Sequence, residues 1–228
     1  MQEKDFREGV SDTLPLLLGM IPFGLAYGIL GKSIGLSSGE TVAMSIMVFA
    51  GAAQFICLPM FAEGASLLMI AFTTLLINLR HLLMGASLAT YMSGLSMPFK
   101  AFLAFGMTDE TYAVTISRAQ KGGYSGAYQL GSNATCYLLW VISTVGGVIL
   151  GSHISDPLSW GLDFAMPATF LALLIPRLRD KVSIVVCLVA TLVSVGSVIL
   201  IPGKWYIIIA CLAAVTAGGL MEGEQNAD

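Results

Sequence analysis

The 228-residue chain is 56% hydrophobic and only 11% charged, with a mean hydropathy of +0.83. That leaves too little polar surface to coat a water-soluble globule, for which about 25% charged residues is ordinary. Eleven Lys and Arg against 14 Asp and Glu give a net charge of −3 without a basic tract, which argues against nucleic-acid binding.

Lipid is therefore the solvent for most of the chain. At about 20 apolar residues per crossing, its length predicts an all-α polytopic integral membrane protein of seven to eight transmembrane helices. The N-terminus, Met1 to Glu8, mixes charge signs and lacks the basic region and cleavage site of a removable signal peptide. Eight apolar segments follow: Thr13–Leu30, Thr41–Phe61, Ser66–Tyr91, Pro98–Ser117, Tyr128–Leu150, Gly161–Ile175, Val182–Leu200 and Trp205–Leu220. Pro22 interrupts the first and Pro167 the sixth, where a break frees carbonyls and exposes a helix end, or simply kinks the helix. Gly24-x-x-x-Gly28 and Gly147-x-x-x-Gly151 predict close helix contacts. Cys57, Cys136, Cys187 and Cys211 lie in apolar runs without metal or redox spacing and read as small hydrophobes, so neither metal nor cofactor is expected.

The basic residues give an orientation. If all eight segments cross, Lys4, Arg7, Arg118, Lys121, Arg177, Arg179 and Lys181 share one side, and Lys32, Lys100 and Lys204 the other. Seven against three places both termini in the cytoplasm. One transmembrane domain spans 1–228. A faint echo of Phe49-Ala-x-x-Ala-x-Phe55 in Phe164-Ala-x-x-Ala-x-Phe170 suggests half-repeats of about 1–117 and 118–228. Those halves would be parallel, or inverted if the fourth segment is re-entrant.

Ionisable side chains at mid-bilayer cost about 2.5–3.5 kcal/mol each and need a reason to be there. The third segment carries Asn78-Leu79-Arg80-His81, the fourth Thr108-Asp109-Glu110-Thr111-Tyr112, and the second Gln54 beside Gly51. A zwitterionic aliphatic ligand needs donors for its carboxylate, acceptors for its ammonium and an apolar pocket. Arg80 and Asn78 suit the first and Asp109 or Glu110 the second, with Gln54 and Tyr112 as further contacts. Glu110, Asp109 and His81 are the proton-coupling candidates. Three of these have a plainer alternative: Arg80 snorkelling to an interface, His81 packed against a carbonyl, Gln54 bonding between helices.

Pro22-Phe23-Gly24, Ala50-Gly51-Ala52-Ala53-Gln54-Phe55, Asn78-Leu79-Arg80-His81 with Gly85, Thr108-Asp109-Glu110-Thr111-Tyr112, and Trp140 with Thr144, Gly147 and Gly151 occur in this order over nearly the whole chain. Together they resemble the AzlC-type (azaleucine-resistance) branched-chain amino-acid exporters. The resemblance implies an inner-membrane, multi-pass permease and not an enzyme. It would export valine, leucine and isoleucine, with methionine a further substrate to test, using the proton motive force. It also implies a much shorter AzlD/YgaH-type membrane subunit as partner. Two other readings remain: an ion channel or accessory subunit, and an intramembrane serine protease suggested by Gly123-Tyr124-Ser125-Gly126 with His153 as base.

Overall fold

The computed structural model describes residues 2–153, 164, 168, 171, 174, 175, 178–201 and 205–225. Nine helices are bounded among them: α1 Gln2–Ser33, α2 Ser38–Met47, α3 Gly51–Ala62, α4 Leu67–Ala89, α5 Met97–Phe105, α6 Asp109–Gln120, α7 Gly126–His153, α8 Lys181–Leu200 and α9 Trp205–Gln225. Of these, α1, α4, α7 and α8 are long and apolar enough to cross a bilayer. The sixth predicted segment, with Pro167 and the second copy of the echo, lies largely outside the described residues, as do Arg177 and Lys204. Two compact units form, Met1–Ala62 with Ile77–Leu162 and Glu63–Leu76 with Asp163–Asp228.

The frame of the first unit is a parallel pair, α1 and α7. Thr13 Oγ1 bonds Ser132 Oγ at 2.7 Å near one end, Gly24 faces Ser143, and Gly151 lies against Ile29 and Lys32 at the other. At Gly28 a Cβ would run into the Thr144 carbonyl and the Val148 amide, and at Gly147 into the Leu25 carbonyl. Both predicted glycine motifs thus lie in one contact, where small residues let two backbones touch. Pro15 and Pro22 sit inside α1 without ending it, so the break predicted at Pro22 does not occur.

The second and fourth predicted segments differ most from expectation. Each is a pair of short helices, of 10 and 12 residues or 9 and 12. At 1.5 Å per residue these reach about 14–18 Å, roughly half the hydrocarbon thickness. The Ser37–Glu40 capping box starts α2, and Thr41 packs on Gly31 near the C-terminal end of α1. The helix descends until Ser45 meets Thr144 and the Ile46 carbonyl meets Tyr137. The chain then turns at Phe49, whose φ of +43° is left-handed backbone. Helix α3 climbs back, carrying Gln54 to Ser45 and Phe55 to Tyr27.

The α5–α6 pair mirrors this from the opposite end. Phe99 and Leu95 lie where a Cβ on Gly126 would fall, and the chain rises until Gly106 abuts Asn133. It restarts at Thr108, whose side chain accepts from the Thr111 amide while its own amide donates to Thr111 Oγ1. Asp109 and Glu110 in the first turn complement the helix dipole. Helix α6 returns until Arg118 pairs with Asp5 and Glu8 at the N-terminal end of α1. Each segment thus doubles back toward the end at which it began. Lys100, adjacent to Phe99, therefore shares an end with Arg118 and the N-terminus, contrary to its predicted side. An apolar cluster of Leu88, Met92, Leu103 and Met107, flanked by Tyr124 and Leu130, brings the C-terminal end of α4 to this end too.

In the second unit α8 and α9 pair. Asp180 caps α8 by accepting from the Ser183 amide at 2.8 Å and hydroxyl at 2.9 Å, which holds its carboxyl below the usual range. Leu188, Leu192, Val195 and Ile199 of α8 are exposed, as a lipid-facing helix requires.

Replacing Gly28 by Ala should destabilise the protein by about 1–3 kcal/mol through overpacking, whereas Gly19→Ala, with nothing within 4 Å of its Cβ position, should be neutral or better. Thermal unfolding in lipid nanodiscs compares them.

Candidate functional site

The two hairpins meet at mid-length of α7, on one face formed by Asn133, Tyr137 and Trp140 at i, i+4 and i+7. Gly51 at the first tip lies under the Trp140 ring, where a Cβ would be tight, and Gly106 at the second lies under the Asn133 side chain with no room for a Cβ. Tyr137 stands between them. Its ring centroid is 4.9 Å from that of Phe49 and 6.2 Å from that of Phe105.

The breaks leave main-chain carbonyls without helical donors, and α7 supplies replacements. Tyr137 Oη donates to the Ile46 carbonyl at 3.0 Å, and Asn133 Nδ2 to the Leu103 carbonyl at 2.8 Å. A buried chain of side chains fixes the first hairpin: Trp140 Nε1 donates to Gln54 Oε1 at 3.0 Å, Gln54 Nε2 donates to Ser45 Oγ at 2.9 Å, and Ser45 and Thr144 share a bond of 2.8 Å. Tyr27 stacks on Trp140 from α1. Gln54 is fully buried, with both ends of its amide engaged.

Beside the second tip, Arg80 Nη1 donates to Asp109 Oδ2 at 2.7 Å, with the side chains 34% and 28% exposed. Arg80 lies nine residues, about 14 Å, from the end of α4, so the pair sits well inside the length of this candidate span. Asn78 Oδ1, Arg80 Nε and His81 Nδ1 are buried without hydrogen-bond partners among the described residues. Glu110 and Asp109 both lie within electrostatic reach of His81, and Glu110 also within that of Cys136, whose side chain lies near Thr108. Tyr112 turns away, donating to Ser87 Oγ at 3.1 Å.

The predicted residues therefore divide. Asn78, Arg80, His81, Asp109 and Glu110 gather beside the second tip, Gln54 supports the first, and Tyr112 ties α6 to the lower part of α4. Sequence reading missed Tyr137 and Asn133. Their only signal was a polar and aromatic face, with Trp140, on an otherwise apolar segment. Ser125 and His153 flank opposite ends of α7, about 40 Å apart at helical rise, so the proposed protease pair does not form.

The AzlC protein family matches residues 15–154. This chain belongs to it. Inner membrane protein YgaZ of Escherichia coli is 31% identical over 221 residues, covering 94% of this chain and 88% of the relative. The branched-chain amino acid transport protein AzlC of Bacillus subtilis is 31% identical over 209 residues, covering 91% and 82%. A membrane protein of Archaeoglobus fulgidus is 32% identical over 225 residues, covering 96% and 94%. No solved structure matches the chain. The protein is thus a membrane protein of a transport family, and the family names point to transport rather than to an enzyme.

Gln54→Leu strands the Trp140 indole and removes two interhelical bonds, which should cost about 1–2 kcal/mol. Tyr112→Phe, losing one partly exposed bond, should cost less. Unfolding temperatures of the two variants in nanodiscs measure the difference.

Proposed function

We propose that this AzlC-family protein is a secondary transporter that exports branched-chain amino acids, namely valine, leucine and isoleucine, with methionine also to be tested. Export is coupled to protons, and the chain works in the cytoplasmic membrane with a small membrane partner subunit. The observation that carries this reading is the deep Arg80–Asp109 pair beside a helix break. An amino-acid zwitterion has the same two charges as this pair. Its carboxylate can take the place of Asp109 on the Arg80 fork, and its ammonium can take the place of Arg80 on Asp109. The exchange conserves charge in a medium where an unpaired ion is expensive.

The remaining groups have roles that fit. Asn78 Oδ1 is an open acceptor for the ammonium, and Arg80 Nε an open donor for the carboxylate. Glu110 and His81, close to the exchanged charges, respond electrostatically when substrate separates Arg80 from Asp109, which is the linkage proton coupling needs. Gln54 and Tyr112, with their polar atoms engaged, hold the hairpins in place. The name of the Bacillus subtilis relative supplies the substrate class.

Proteoliposomes loaded with labelled valine, with and without the small subunit, should release it faster under an imposed pH gradient. Asp109→Asn with Glu110→Gln should reduce that gradient-driven release at least tenfold. Wild-type release in the double variant, or ionic conductance without amino-acid flux, would contradict the proposal.

A further inference from the structure

We propose that Tyr137 is the gate residue shared by both hairpins: each tip closes the mid-depth site from its own end by seating on this one side chain. The first tip seats through Phe49, whose ring meets Tyr137 at 4.9 Å and 65°, and through the Tyr137 hydroxyl on the Ile46 carbonyl. The second seats through Phe105 at 6.2 Å and 53°. The hairpins enter from opposite ends, so lifting either tip off Tyr137 opens the site to one side only.

Tyr137 is suited to this because its own helix is the least movable element of the unit. Backbone of α7 touches backbone of α1 along most of its length, and glycines at Gly28, Gly131 and Gly147 leave no room for a shift. The tips are the opposite case. Phe49 holds a left-handed conformation that a side chain disfavours, and each tip breaks the helical ladder. Motion therefore belongs to the hairpins and the fixed seat to α7. The roles of the two tips differ, since only the first takes a hydrogen bond from Tyr137 itself; Asn133 serves the second.

The inference goes beyond the transport reading, and its test requires no substrate. Cys136, buried beside Thr108, reports on the second tip once Cys57, Cys187 and Cys211 are replaced by Ser. Ala50→Cys, with Cys136→Ser added, reports on the first, since Ala50 is also buried. Alkylation by a membrane-permeant maleimide in nanodiscs should accelerate tenfold or more at both reporters in Tyr137→Ala. Tyr137→Phe, which keeps the ring, should accelerate only the Ala50→Cys reporter. Tyr137→Leu keeps bulk without the ring and should behave as Tyr137→Ala, which covers a folding failure of the latter. In a separate background that keeps Cys57 as its one cysteine, this thiol, further along α3 and buried, should stay protected in Tyr137→Ala and Tyr137→Leu. Continued protection of either reporter in the Ala and Leu variants overturns the shared gate. So does exposure of Cys57 together with them, which marks general loosening. Failure of valine release in the wild type would instead count against the transport reading alone.

Discussion

A helix interrupted in hydrocarbon leaves main-chain carbonyls that water cannot reach, at several kcal/mol for each one unsatisfied. Among the described residues two such interruptions occur, at Phe49–Ala50 and at Gly106–Thr108, and both are resolved on a single helix. Tyr137 serves the Ile46 carbonyl and Asn133 the Leu103 carbonyl, while Thr108 and Thr111 cap the restart of α6. The position of everything else near mid-depth follows from this. Glycines at the tips admit the Trp140 and Asn133 side chains, and the restarted helix carries Asp109 to Arg80.

A long helix followed by a short hairpin thus occurs twice among the described residues, with opposite sense. Helix α1 leads into α2–α3, which dips from one end, and α4 leads into α5–α6, which dips from the other. The arrangement concentrates polarity where two non-helical turns meet. Irregular backbone at membrane depth is tolerated where it is buried in protein or lines a wet cavity, and transporter sites are commonly built from broken helices near the midplane. The ion-pair end of the molecule has a different character. Arg118 binds Asp5 and Glu8, donates from Nε to the Gly123 carbonyl and lies 4.3 Å over the Tyr128 ring. Helix α6 is anchored there and carries the deep carboxylates at its other end.

Much of this was legible in the sequence. Composition fixed the solvent, the glycine motifs marked the α1–α7 contact, and the cost of buried charge picked out Arg80, His81, Asp109 and Glu110, which the structure brings together. The hairpins were not legible because Thr41–Phe61 and Pro98–Ser117 have the length and hydropathy of single spans, and a buried hairpin is as apolar as a crossing. Charge counting could not expose the error either. Two hairpins in place of two crossings preserve parity, so in the first unit Arg118 and Lys121 stay with the N-terminus while Lys100 changes side. One signal was available: Thr108 followed by Asp109 and Glu110 is a helix start, placed in the middle of an apolar run. The first tip had only Gly51. Tyr137 and Asn133 were hidden because their partners are main-chain carbonyls, to which a sequence pattern gives no pointer.

The opposed hairpins are most directly tested by sided labelling of single-cysteine variants in sealed, oriented membranes. An impermeant maleimide should reach Lys100→Cys and Lys121→Cys from the same face as Lys4→Cys, and Lys32→Cys from the other. Labelling of Lys100→Cys from the face that exposes Lys32→Cys would mean that the fourth segment crosses the bilayer, and the hairpin account would be wrong.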